Sequence, residues 1–102
     1  MGTCTIEVKE EGLGIQECFA KVKENIKQII PAMGRVYLVA VVTMRHFSGM
    51  QEQLELASKA EEYEGDFDDF FDRAVLRIES KMEKRGGVLK RIDMIKFNYI
   101  SY

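Results

Sequence analysis

The sequence predicts a small α+β domain, ordered β-α-β-α-α-β, with a sheet of about three strands and helices packed on one face. Three observations predict it: a strictly alternating N-terminal segment, two later segments with apolar residues every three or four positions, and an apolar, β-branched run between them. The 102 residues suit a single domain, residues 1–102, and are too few for two ordinary ones. Hydrophobic residues make up 46% of the chain and charged residues 31%, enough for a core beneath a polar surface. One Pro and eight Gly exclude collagen-like and Pro-rich disordered chains. No apolar run reaches the about 18 residues a spanning helix needs, so no membrane contact is expected.

Residues 3–9 alternate, with Cys4, Ile6 and Val8 on one face and Thr5, Glu7 and Lys9 among those on the other, the pattern of a half-buried strand. Ile15, Phe19, Val22, Ile26 and Ile29 then mark one stripe of an amphipathic helix that Pro31 stops. Residues 36–44 are apolar on both faces and belong in the middle of a sheet. Ser48 followed by Gln51 reads as a capping box, predicting a helix over residues 49–63 with the thin stripe Met50, Leu54, Ala57 and Ala60. Asp66 caps a stronger helix carrying Phe67, Phe70, Phe71, Ala74, Val75, Ile78 and Met82, which Gly86 and Gly87 terminate. Residues 88–102 read as a long strand. Ile92 and Met94 share one parity and Ile95, Phe97 and Tyr99 the other, which places a bulge near Met94 and Ile95. So long a terminal strand leaves an unpaired edge, which a homodimer formed by strand pairing would cover.

The N-terminus lacks the basic-then-apolar pattern of a secretory signal, and Ile6 stands where a myristoylation motif needs Ser or Thr. A cytoplasmic location is therefore expected. Cys4 and Cys18 with His46 are too few for a four-ligand zinc site, and two buried free thiols are expected ahead of a disulfide.

Most candidate chemistry fails on residue type. Gly12-Leu13-Gly14 lies where a phosphate-cradling loop would, but Glu17 occupies the third glycine position of the dinucleotide fingerprint and would repel a pyrophosphate. His46 ends the central strand near Ser48, yet a Ser two residues from a His does not make a catalytic pair; Cys4 or Cys18 could reach His46 only through the fold. The carboxylates around Gly65 lack the alternation of a calcium-binding loop, with Phe67, Phe70 and Phe71 among them. No catalytic residues, no dedicated metal site and no cofactor are expected.

The distribution of charge is more informative. The net charge of −2 hides +1 over residues 1–49, −8 over residues 50–72 and +5 over residues 73–102; seven of the twelve residues 61–72 are acidic and none is basic. The helix dipole accounts for Asp68, Asp69 and Asp72 near a helix N-terminus. It does not account for Glu61, Glu62 and Glu64, which in this reading crowd the C-terminal end of the preceding helix and repel one another.

The expectation is a non-enzymatic binding module. Its acidic helix-turn-helix face, Glu61, Glu62, Glu64, Asp66, Asp68, Asp69 and Asp72 with Tyr63 as an anchor, would contact a basic partner such as a nucleic-acid-binding protein or nuclease. Small viral inhibitors of nucleases, anti-CRISPR proteins among them, offer an analogy of size and charge, since carboxylates can imitate a phosphate backbone. The alternative is a self-associating, homodimeric structural or small-ligand-binding domain. Direct nucleic-acid binding through Lys81, Lys84, Arg85, Lys90, Arg91 and Lys96, with Tyr99 and Tyr102 stacking on bases, is disfavoured by a pI of about 5.5.

Overall fold

The computed structural model describes residues 2–101, which form β1 (Gly2–Glu11), α1 (Ile15–Ile29), β2 (Gly34–Arg45), β3 (Gln51–Ala57), β4 (Glu61–Tyr63), α2 (Phe67–Arg85) and β5 (Val88–Ser101). The strands make one five-stranded antiparallel sheet, ordered β1-β5-β2-β3, with β4 pairing the start of β2 beside β3. The α+β class holds, but the sheet has five strands and there are two helices, not three.

The residues expected to form a helix over 49–63 form β3 and β4. Ser48 does not cap a helix: its Oγ accepts from Met50 N at 3.5 Å inside a tight hairpin, where Gly49 takes a φ of 86° and His46 N donates to Met50 O at 2.8 Å. Glu52, Leu54 and Leu56 turn inward while Gln51, Gln53 and Glu55 are exposed, a strand alternation beneath a composition that favours helix. Tertiary demand decides, because the inner strand β2 needs a partner along its second edge. Between β3 and β4, Ser58 keeps that edge satisfied. Its N–H donates to Leu38 O at 2.8 Å, and its hydroxyl accepts from Leu38 N at 2.9 Å.

β5 is an interior strand between β1 and β2, so the long terminal strand is not the unpaired edge; that place belongs to β1 on one side and to β3 and β4 on the other. β5 carries two bulges against β2: one at Asp93, just before the predicted position, where Val41 pairs Met94 and Val42 pairs Ile92, and a second at Lys90, between the Thr43–Arg91 and Met44–Leu89 pairs. Ile92, Ile95, Phe97 and Tyr99 thereby share the core side. β1 bulges opposite, between Glu7 and Glu10, with Lys9 at a φ of 48°.

Both helices cover one face. Val36, Leu38, Ala40, Val42 and Met44 of β2 and Ile92, Ile95 and Phe97 of β5 join Phe19 and Ile26 of α1 and Phe70, Phe71 and Ile78 of α2 in one core. Each such side chain contributes about 1.5–3 kcal/mol by leaving water. Ile29, the last residue of the predicted α1 stripe, is exposed, and Cys18 takes a core place instead. Both thiols are free; Cys18 is buried, but Cys4 on the edge strand is only half-buried. The other face of the sheet carries Val39 and Val41 of β2, both buried, among paired polar side chains. Thr3 bonds Asn98, Lys96 pairs Glu55 at 3.2 Å, and Asp93 accepts from Thr43, Gln53 and Arg91.

β5's fourteen residues, at roughly 3.3 Å each, account for the long dimension of a 46 × 22 × 21 Å molecule. The strands therefore run from pole to pole. One pole carries β4 and the start of α2; the other carries the β2–β3 hairpin and the turn between α2 and β5. Among the described residues no helix is long and apolar enough to cross a membrane.

Candidate functional site

The acidic segment lies at the first pole, on a strand, a turn and a helix start rather than on a helix-turn-helix. Arg35 and Val36 of β2 hold Glu62 and Glu61 in register. Gly65, at a φ of 102°, turns the chain, and Asp66 caps α2 by accepting from Asp69 N at 3.5 Å. Phe67, Phe70 and Phe71 anchor the first turns of α2 in the core.

α2 divides the predicted contact residues between two sides. Glu61, Glu62, Glu64 and Asp66 line a cavity of about 330 Å³ with Tyr63, Phe70 and Arg73. Asp69 belongs to the same side: it shares a hydrogen bond with Asp66, which together with the charge of Asp66 raises its carboxyl above the ordinary value. Asp68 and Asp72 turn toward α1, where Asp68 pairs Lys23 at 3.1 Å and Asp72 borders a groove with Gln16 and Ala20. The helical repeat produces this split, because residues 66, 69 and 73 share one side and 68 and 72 the next. Arg73 is the one cation lining the cavity, and its guanidinium grips Glu61 from Nη2 at 2.7 Å and Nε at 3.2 Å.

Tyr63 is not a surface anchor. Its ring is 7% exposed and meets Phe70 edge-on at 5.9 Å, and burial raises its phenol above the ordinary value. Alternation along β4 carries the signal: with Glu62 outward, Tyr63 must point inward.

Four of the six basic residues considered for nucleic-acid contact are engaged within the molecule. Lys81 donates to Ala57 O, Arg85 pairs Glu52 at 2.6 Å, Arg91 pairs Asp93 at 2.5 Å and Lys96 pairs Glu55. Tyr99 stacks on Phe97 at 5.3 Å, and Tyr102 lies outside the described residues. His46 sits in the hairpin with Nε2 3.6 Å from Glu52 Oε1, and a hydrogen bond from Arg85 holds Glu52 below its ordinary value. Cys4 pairs Phe97, which pairs Leu38; the register therefore sets Cys4 about eight residues, roughly 26 Å, along the sheet from His46. Cys18 is fully buried, and burial raises its thiol. Gly14 begins α1 without a side-chain cap. Among the described residues no three His, Cys, Asp or Glu side chains are grouped to hold a metal ion.

The hairpin pole escaped the sequence reading. Phe47 is 100% exposed, and Met50 and Val88 beside it are 69% and 53% exposed. The signal was present in an apolar Phe47 next to Ser48-Gly49, a turn pair, but the assumed capping box hid it. No protein-family model matches the chain, and no curated protein matches it.

Proposed function

We propose that this chain is a non-enzymatic protein-binding module whose acidic pole contacts a basic macromolecular partner. The observation that carries the reading is the convergence of Glu61, Glu62, Glu64, Asp66 and Asp69 at one pole, where Arg73 lines the same cavity and Lys59 and Arg77 the adjoining one. Crowded carboxylates repel one another, and a cationic partner relieves that repulsion while it speeds its own encounter. In its most specific form the reading is of a cytoplasmic inhibitor that occupies the phosphate-binding groove of a nucleic-acid-handling protein, in the manner of small viral inhibitors.

The direct test uses a fluorescent decalysine peptide as the cationic probe. Wild-type protein binds it with an affinity that falls as salt rises, and a Glu62→Lys, Glu64→Lys, Asp69→Lys variant does not bind. Glu61 stays unchanged because a lysine there would face Arg73. Equal binding by the triple variant, with an unchanged circular dichroism spectrum, overturns the reading.

A strand-paired homodimer is the alternative, favoured by the outer edge of β1, which no other strand covers. It predicts a mass that stops at 23.6 kDa, twice the chain's 11.8 kDa, and does not change with the charge of the pole.

A further inference from the structure

The hairpin pole is the chemical complement of the acidic one. Phe47, Met50 and Val88 are exposed apolar side chains at this pole, and an exposed apolar surface is covered when a partner offers a recess. Arg45 ends β2 beneath the hairpin tip, Lys84 lies in the last turn of α2 and Lys90 just inside β5. Arg85 and His46 both face Glu52, which engages that carboxylate within the pole, and Glu83 is the other acidic residue in the last turn of α2. The tip is therefore an apolar knob backed by cations.

The recess at the opposite pole has the matching form. Its cavity of about 330 Å³ is lined by Glu61, Glu62, Glu64 and Asp66 together with Tyr63, Phe70 and Arg73. An exposed apolar anchor entering that cavity, with cations meeting carboxylates around it, has the core-and-rim arrangement of a protein interface. The two complementary surfaces lie at opposite ends of the 46 Å molecule, so no chain can satisfy its own.

We propose that the hairpin tip of one copy docks in the acidic pole of a second copy, with Phe47 as the anchor and Arg45 and Lys84 meeting the rim carboxylates. This deepens the proposed function and rests on it, naming the cation-bearing hairpin tip of a second copy as the surface the acidic pole contacts. The contact is heterologous, because different surfaces meet, so it adds copies head to tail instead of closing at two.

Complementary variants test it by sedimentation velocity. Wild-type mass rises with concentration past 23.6 kDa and falls toward 11.8 kDa as salt screens the poles. A tip variant, Phe47→Ser with Arg45→Glu, and the pole variant, Glu62→Lys, Glu64→Lys and Asp69→Lys, each remain at 11.8 kDa alone. Mixed, they form a one-to-one complex of 23.6 kDa and nothing larger, since only one tip and one recess remain between them. Wild type that stays monomeric, variants that still associate alone, or a mixture that forms no complex each overturns the proposal. The decalysine probe separates the failures. If wild type binds the peptide but never itself, the acidic-pole reading stands and the second copy does not; if it binds neither, both fall.

Discussion

The hydroxyl of Thr43 donates to Asp93 Oδ2 at 2.7 Å across the bulge that joins β2 to β5. The extra residue of the bulge is thus the one that anchors the paired polar side chains on that face of the sheet. Burial opposes the charge on Asp93, but hydrogen bonds from Thr43, Arg91 and Gln53 outweigh it and hold the carboxyl below its ordinary value. A carboxyl lowered in the folded state adds stability that is complete above its unfolded value of about 3.9 and is lost as pH falls through the folded value. Asp93→Ala is expected to cost about 1.5–3 kcal/mol at neutral pH and to flatten the acid limb of the stability curve. Urea unfolding of both proteins between neutral pH and acid measures this; parallel acid limbs would refute it.

Ser58 supports a different prediction. Its hydroxyl accepts the Leu38 N–H at 2.9 Å where β3 has ended and β4 has not begun. Ser58→Ala strands a buried donor on β2 and is expected to cost about 1–3 kcal/mol. Hydrogen exchange localises the effect: the Leu38 amide loses protection in the variant, while that of Ile95 on β5 retains it.

These two sites also show what the sequence could and could not disclose. β1, α1, β2, α2 and β5 were legible because each carries a clear period or apolar run and, for the helices, a stop at Pro31 or Gly86. The bulge at Asp93 was legible to within two residues, since Ile92 and Ile95 must share the core. β3 and β4 were not. Gln51, Glu52, Gln53, Leu54 and Glu55 favour helix by local propensity, and what makes them strand is hairpin pairing with Val39 to Arg45, which local propensity does not register. At the candidate site the concentration of charge was legible from composition. Its division into a β4 side and an α1 side depends on how α2 packs, so Asp68 and Asp72 could not be separated from Asp69 in advance. The misplaced helix also concealed Tyr63, which alternation along a strand turns inward.

Tyr63 tests that last distinction. As a core residue it should respond to size: Tyr63→Ala is expected to cost about 3–5 kcal/mol, the usual price of an aromatic-to-alanine cavity. Tyr63→Phe retains the ring against Phe70 and should be close to neutral. Neither the stability nor the decalysine affinity of Tyr63→Phe should change appreciably in denaturant titration and fluorescence anisotropy. A large loss of affinity in a fully folded Tyr63→Phe protein would return the hydroxyl to the binding surface.

Asp69 opposes Asp93 in sign. The hydrogen bond Asp69 shares with Asp66, and the charge of Asp66 behind it, raise the Asp69 carboxyl in the folded state. A raised carboxyl contributes stability that is full below its unfolded value of about 3.9 and lost as pH rises through the folded value. The charge on Asp69 therefore weighs against the fold at neutral pH and is relieved in acid. Asp66→Asn retains a good N-cap for α2 while it removes the charge that crowds Asp69. The variant should unfold at the same or a higher temperature than wild type at neutral pH, with that advantage vanishing as acid protonates Asp69. A carboxyl-detected NMR titration should show Asp69 returning toward the ordinary value. If Asp69 titrates identically in both proteins, the crowding at this pole does not arise from Asp66.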